Sequence, residues 1–341
     1  RSPRGSRGLG DVYKRQEEDR PTLVVSYGDS GADGDWYTAD DLISSASSVA
    51  YDADGNPIRA VILSGPGSDG LWQTEDDAVT RYQRMTYNAF GAQTEEIDYN
   101  GAGSDGVWFS ADDEVYDYER WQYDDQGREL THIEYDHAGP DGQWLTADDP
   151  GRSYTAYAYN SKGYVTRFST YGDAGGDAVF GTSDDVVTAL TLLTYTAGDL
   201  LEEIRHYSGA GTDGEWETDD DVLSSYASYS YDADGNRALT IDHDNPGADG
   251  VWFTADDDAD DVRSYLLDGN GQTTRRTTLG DPGPDLIWNT VDDSVEDYRT
   301  YTYAADGGLL SETRFDDAGA DLTWFTGDDQ IDQRWEYSPD Y

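Results

Sequence analysis

Apolar and polar residues alternate with a period of two along most of the chain, and Gly or Pro interrupts every window long enough for a helix. The stretch SYASYSYDADGNRALTIDHD, residues 225–244, is the clearest case. Tyr229 and Tyr231 stand two apart, so they share one face of a strand. The Asp-Ala-Asp-Gly that follows is a turn signal. Its glycine recurs at Gly55, Gly91, Gly127, Gly163, Gly235, Gly271 and Gly307, where a residue with positive φ closes a hairpin of three to five loop residues. In the fifth repeat the glycine slips to Gly198, ahead of Asp199. A second β-rich run follows each turn and ends on a bulky residue in register: Leu63, Tyr99, Tyr135, Tyr171, Tyr207, His243, Leu279 and Phe315, with Tyr27 in the same register earlier. The pattern predicts about nine hairpins in succession.

Between the hairpins lies a second phrase, in forms such as GADGDWYTADD, GSDGLWQTEDD and GADLTWFTGDD. Its aromatic residue falls at Trp36, Trp72, Trp108, Trp144, Phe180, Trp216, Trp252, Trp288 and Trp324, successive multiples of 36 without insertion or deletion. Self-similarity at a fixed period of this size marks a repeat architecture whose units stack on one another. The expected fold is therefore all-β: tandem 36-residue β-hairpin repeats, one array over residues 17–341. A meander this long cannot stay flat, so a spiral or solenoid-like sheet with rows of Tyr inside is expected. Residues 1–16, RSPRGSRGLGDVYKRQ, share nothing with the repeats, and Asp11 to Gln16 can be encoded by the end of a transposon-type sequencing adaptor. They are expected to be a cloning or sequencing scar, and the array a fragment of a longer chain.

The hairpin half resembles the YD repeats of the Rhs family, in which a Tyr-Asp-x-x-Gly-Asn or Gly-Arg phrase sits at the turn. Here it stands as YDADGN from Tyr51 and Tyr231, YDDQGR from Tyr123 and YNSKGY from Tyr159, with looser copies at YNAFGA from Tyr87 and YAADGG from Tyr303. The resemblance implies a spiral β-sheet of the YD-repeat shell type, secreted or displayed on a cell surface. In some family members that shell is a cocoon around a toxic segment. The acidic phrase between hairpins is not part of the ordinary YD pattern.

Charge narrows the partners. The formal net charge is -50, and setting aside residues 1–16 leaves 17 of the 22 basic residues against 71 of the 72 acidic ones. Such a surface repels phosphates and anionic lipid, so neither nucleic acid nor direct anionic-membrane binding is expected. Divalent cations are the natural counter-charge, and adaptation to high salt is a rival explanation. Zero Cys excludes disulfides and thiolate metal sites. With 27 Tyr among 13% aromatic residues the chain has material for a core despite its charge.

Three Asp positions recur in all nine phrases, three residues before the aromatic and four and five after it. They are Asp33, Asp40 and Asp41; Asp69, Asp76 and Asp77; Asp105, Asp112 and Asp113; Asp141, Asp148 and Asp149; Asp177, Asp184 and Asp185; Asp213, Asp220 and Asp221; Asp249, Asp256 and Asp257; Asp285, Asp292 and Asp293; Asp321, Asp328 and Asp329. A Gly five before the aromatic, from Gly31 to Gly319, is equally constant. Calcium takes six to eight oxygen ligands from carboxylates, carbonyls and water, and short Asp stems with flexible glycines suit it. The triads are accordingly expected to bind several calcium ions, which would order a link of about a dozen residues and couple metal affinity to folding. The alternative is that Thr38-Ala39-Asp40-Asp41 and its copies, each opening on Thr or Ser, only cap a helical turn.

No enzymatic activity is expected. An active site needs a unique constellation, whereas each Asp pair is copied nine times, and His132, His137, His206 and His243 fall at unrelated repeat positions. The Trp row has two readings: a structural seal over the core, which is favoured, or an exposed ladder that stacks sugars. Trp121 and Trp335, on the hairpin strands, read as core substitutes for Tyr. Taken together the sequence points to a calcium-stabilised, secreted or cell-surface structural scaffold within a larger Rhs-like or adhesin-like protein. Its partners would be a polysaccharide or surface protein and the rest of a longer chain. The alternatives are a carbohydrate- or partner-binding module using the Trp row and a cocoon around a toxin segment.

Overall fold

The structure, a computed structural model, describes residues 11–15 and 21–337 apart from positions 37, 39, 73, 75, 145, 147, 148, 178 and 255. It is all-β. In chain order the strands are β1 (Asp11–Arg15), β2 (Pro21–Asp29), β3 (Leu42–Tyr51), β4 (Pro57–Gly65), β5 (Ala78–Tyr87), β6 (Gln93–Gly101), β7 (Glu114–Tyr123), β8 (Glu129–Tyr135), β9 (Gly151–Tyr159) and β10 (Val165–Asp173). They continue as β11 (Val186–Tyr195), β12 (Leu201–Gly209), β13 (Val222–Tyr231), β14 (Arg237–Asn245), β15 (Asp258–Leu267), β16 (Thr273–Asp281), β17 (Ser294–Tyr303), β18 (Leu309–Asp317) and β19 (Gln330–Glu336). Among the described residues the one helical element is a 3-10 turn at Gly283–Asp285. The array divides into two compact units, Arg1–Tyr157 with Thr170–Val187 and Ala158–Ser169 with Thr188–Tyr341.

Within each unit consecutive strands pair antiparallel, alternately through a tight hairpin and through an acidic loop. Residues 11–15, expected to lie outside the fold, form β1 against β2 with Val12 opposite Val25. A sheet edge presents unpaired N–H and C=O groups that an extended segment of almost any sequence can satisfy, so this pairing needs no repeat motif.

The Tyr-Asp phrase has a mechanical role. Register slips by one residue at Tyr51, Tyr87, Tyr123, Tyr195, Tyr231 and Tyr303. After the slip the Tyr87 hydroxyl donates to the Pro57 carbonyl (2.9 Å), Tyr123 to Gln93 (2.7 Å), Tyr195 to Val165 (2.7 Å), Tyr231 to Leu201 (2.7 Å) and Tyr303 to Thr273 (2.9 Å). Each acceptor is the first residue of the neighbouring strand. The hydroxyl thus satisfies a terminal carbonyl and ties one repeat to the one before it. The residue after Tyr closes the turn: Asp52 accepts the N–H groups of Asp54 and Asn56 (3.0 and 2.8 Å), and Asp232 those of Asp234 and Asn236 (both 2.9 Å). In the fifth repeat Asp199, not the displaced Gly198, takes the left-handed position (φ 66°), which Asp tolerates better than most residues.

Residues opposite one another in a ladder share a sheet face, and this places Ala46, Leu63, Tyr82, Tyr99, Tyr118 and Tyr135 together. In the first unit Tyr82 stacks on Tyr99 (4.3 Å between centroids) and Tyr118 on Tyr135 (4.6 Å), over a core that includes Val25, Val61 and the fully buried Ile97. Burying a side chain the size of Ile97 contributes about 1.5–3 kcal/mol. In the second unit the same slots hold Tyr226 on His243 (4.3 Å) and Tyr298 on Phe315 (4.4 Å). His243 therefore serves as a flat ring in an aromatic column. Trp121 stands at the repeat position of Tyr157 and Tyr229, half-buried and stacked on His132 (4.7 Å), but on the sheet face opposite the Tyr118 ring, so it is not the core substitute expected. Trp335 stands in the column of Arg299 instead, with that guanidinium 5.8 Å from its ring.

Candidate functional site

The acidic loop folds back over the hairpin that precedes it. In the loop between β6 and β7, Trp108 meets Tyr82 edge-on (6.0 Å, 81°), Phe109 lies against the same ring (4.8 Å), and the Asp113 carboxylate accepts the Tyr82 hydroxyl (2.7 Å). Arg59, one strand further back, covers Phe109 at 4.9 Å. The arrangement recurs around Tyr226, with Trp252, Phe253 and Asp257, and around Tyr298, with Trp324, Phe325 and Asp329. In these repeats the core is a layer of rings between one sheet face and the loop that covers it, while Ala46, Leu190 and Val262 hold the Tyr slot in others and are equally buried. Trp36 is 46% exposed and the other eight aromatics of the row are half-buried.

Each Asp of the triad has its own donors. Asp105 closes a local turn by accepting the Val107 N–H (2.7 Å). Asp112 spans the loop: one oxygen accepts the N–H groups of Ser104 and Asp105 (2.9 and 3.1 Å) and the Ser104 hydroxyl (2.7 Å), while the other accepts the Ser110 hydroxyl (2.6 Å). Asp113 accepts the Phe109 N–H (2.7 Å) as well as the Tyr82 hydroxyl, and is buried. Asp249, Asp256 and Asp257 repeat the scheme, as do Asp321, Asp328 and Asp329. Among the described residues the Thr or Ser of the phrase caps no helix. Its hydroxyl bridges both carboxylates of the pair, as Thr254 does to Asp256 (2.7 Å) and Asp257 (3.2 Å).

These bonds leave an electrostatic signature. The Ser110 and Ser104 hydroxyls hold the Asp112 carboxyl far below the usual carboxylate range, and the Ser68 and Thr212 hydroxyls do the same for Asp76 and Asp220. Burial, reinforced by the bond to Asp113 or Asp257, pushes the phenols of Tyr82 and Tyr226 well above their ordinary value.

The loop carries two kinds of left-handed residue. The first glycine, at Gly31, Gly67, Gly103, Gly175, Gly211, Gly247, Gly283 and Gly319, has φ between 60° and 69°. A Cβ there would strike the backbone and carboxylate of the second Asp; on Gly283 it would lie 2.6 Å from the Asp292 carbonyl oxygen. The second, at Gly34, Gly70, Gly106, Gly142, Gly214 and Gly250, also has positive φ but nothing within 4 Å. Leu286 and Leu322 hold that place in the last two loops, both at φ 58°. The constancy of the first glycine and the drift of the second follow from this difference in space.

For a cation, the first loop offers the closest gathering. One oxygen from each of Asp33, Asp40 and Asp41 lies within 4.8 Å of the others, a spacing compatible with oxygens around one calcium ion. Among the described residues no other triad is drawn together in this way, and Asp148 lies outside the described residues.

No family model matches the chain, nor does any curated protein. Among solved structures the chain is similar to the complex titled TcdB2-TccC3-Cdc42, at 13% identity over 96% of this chain and 16% of that one, with a TM-score of 0.34. A Photorhabdus luminescens Tc holotoxin pore with a mutated TccC3 matches at 13% identity over 96% of this chain and 15% of that one, TM-score 0.32. A porin-like protein from Bacteroides uniformis matches at 13% identity over 84% and 90%, TM-score 0.29. The chain spans about a sixth of the length of the two toxin chains. With TM-scores this low, none of these likenesses bears on what the chain does.

Proposed function

We propose that the chain is a structural repeat scaffold, part of a secreted or surface-displayed protein of Rhs-like or adhesin-like type, in which each acidic loop fastens the hairpin before it. The observation that carries this reading is the recurring bond from a hairpin Tyr to the last Asp of the following loop, Tyr82 to Asp113, Tyr226 to Asp257 and Tyr298 to Asp329. Side chains that meet a tertiary partner at the same place in repeat after repeat serve the architecture. In this reading the chain carries no catalysis, and the Trp edges are spent on Tyr rings.

Calcium completes the proposal. Net charge of -50 gives every loop a reason to bind a divalent cation, and the convergence of Asp33, Asp40 and Asp41 supplies a place in the first. Metal that binds the folded loops alone would stabilise them by an amount that grows with the logarithm of its free concentration over the dissociation constant. The expected outcome is a higher Tm in calcium than in chelator, in low-salt buffer, with the paired replacement Asp40→Asn and Asp41→Asn removing about one ion per chain by calorimetry. Identical melting in both buffers with no heat of binding would end the calcium part and leave a scaffold closed by its own hydrogen bonds.

A further inference from the structure

On the sheet face opposite the loops, the second unit holds an arrangement that composition argues against. Arg276, Arg299 and Arg314 stand directly opposite one another on the successive strands β16, β17 and β18. Like charges in directly opposed positions destabilise a sheet, and only 17 basic residues follow residue 16, so abundance does not explain the row. Two of the three are neutralised. Arg299 pairs with Glu312, and Arg314 donates to Asp297 (3.1 Å) and Asp332 (3.2 Å). Arg276 is half-buried, yet among the described residues it makes no hydrogen bond and no ion pair, and its Nε–H is fully buried without an acceptor. The Nε–H groups of Arg299 and Arg314 are likewise buried and unpartnered. Tyr265 lies directly opposite Arg276, and Tyr301 lies on the same face two residues from Arg299. Neither phenol hydroxyl has a hydrogen-bond partner among the described residues.

We propose that Arg276, flanked by Tyr265 and Tyr301, is a binding site for a doubly charged tetrahedral oxyanion, a sulfate or phosphate group. A buried Nε–H with no acceptor is costly, and the terminal N–H groups of the same planar fork, which are not buried, match two oxygens of such a group. The phenols of Tyr265 and Tyr301, at neighbouring register positions on the same face, add donors, while Arg299 beside them is already neutralised by Glu312. The acidic remainder of the chain opposes approach of an anion, so binding strengthens as salt screens that field at distance while the half-buried contact is screened less.

The test compares sodium sulfate and sodium phosphate with sodium chloride at equal ionic strength, by calorimetry and by Tm, on the whole chain. Wild type is expected to gain Tm in both oxyanions over chloride. Arg276→Gln should lose the Arg276-dependent part of that gain and all the heat of binding, while Arg237→Gln, whose guanidinium lies over Tyr229 on another hairpin, keeps both. Arg276→Lys retains charge without the fork and should bind at least tenfold more weakly. The proposal is overturned if wild type and Arg276→Gln gain equally, if wild type shows no heat, or if Arg276→Lys binds as tightly as wild type.

Discussion

The two ends of each repeat are both built on Asp and Gly, and they obey different rules. At the hairpin end the residue that opens the turn, after Tyr or, in one repeat, after Leu267, is Asp52, Asn88, Asp124, Asn160, Thr196, Asp232, Asp268 or Ala304. Even with Ala304, which has no side-chain acceptor, the turn closes through its backbone, Ala304 N–H to the Gly308 carbonyl (2.7 Å) and Gly307 N–H to the Ala304 carbonyl (3.0 Å). At the loop end all three Asp are constant. The turn's donors lie within four residues of the acceptor, whereas the loop's last carboxylate takes a hydroxyl 31 residues away. The second Asp thus spans the loop and the last reaches a hairpin hydroxyl where Tyr82, Tyr226 or Tyr298 offers one, whereas the first Asp, equally constant, accepts an N–H two residues on, as the hairpin acceptor does. Donors of the loop already hold these carboxylates, and calcium would act on groups in place.

The sharpest way to break the comparison uses two glycines of one loop that share a backbone conformation. Gly247 and Gly250 have φ of 68° and 70°, so replacement by Ala strains both alike, by about 1 kcal/mol. Only at Gly247 would the new methyl collide with the Asp256 backbone. Gly247→Ala is expected to cost about 3 kcal/mol in urea denaturation, the strain plus overpacking, and Gly250→Ala about 1 kcal/mol. Equal losses would mean that the first glycine is kept for conformation alone.

How much of this was legible beforehand depends on distance along the chain. The period of 36, the paired Tyr229 and Tyr231 and the Asp-x-x-Gly turns are local signals, and each marks a hairpin that forms where they stand. The fold-back of the loop was not legible, because nothing in the spacing of Asp257 says that its partner is Tyr226. One clue was present: Thr or Ser stands two residues before the Asp pair in every copy, and a hydroxyl that close can bridge both carboxylates. It reads equally well as a helix cap, and only tertiary structure decides. Likewise the drift of the second glycine to Leu286 and Leu322 showed that the position tolerates a side chain, but not that open space surrounds it. The row of Arg276, Arg299 and Arg314 was invisible, since it depends on the register of three strands.

The two Tyr bonds offer a smaller and cleaner contrast. Tyr226 donates to a carboxylate, Asp257 (2.9 Å), and Tyr231 to a backbone carbonyl, Leu201 (2.7 Å). Hydrogen bonds to charged acceptors are worth roughly twice those between neutral groups, so Tyr226→Phe should cost about 2 kcal/mol and Tyr231→Phe about 1 kcal/mol. The pH dependence separates them further. Burial and the Asp257 bond raise the Tyr226 phenol, so its contribution is complete below about pH 10, the ordinary Tyr value, and is lost as pH rises toward the raised one. Stability curves of wild type and Tyr226→Phe should converge in alkali. Curves that stay parallel there would show that the hydroxyl contributes nothing through ionisation.

The smallest effect runs in the opposite direction. Leu322 is 84% exposed at φ 58°, in the place where most loops carry the second glycine. A branched apolar side chain in that conformation is strained by about 1–2 kcal/mol, with almost no burial to offset it. Glycine removes the strain and gives back part of the gain as added freedom of the unfolded chain. Leu322→Gly should therefore stabilise the protein by about 0.5 kcal/mol, a rise in the urea midpoint without a change in slope. A loss instead would mean that the freedom glycine adds to the unfolded chain outweighs the strain it relieves in the loop.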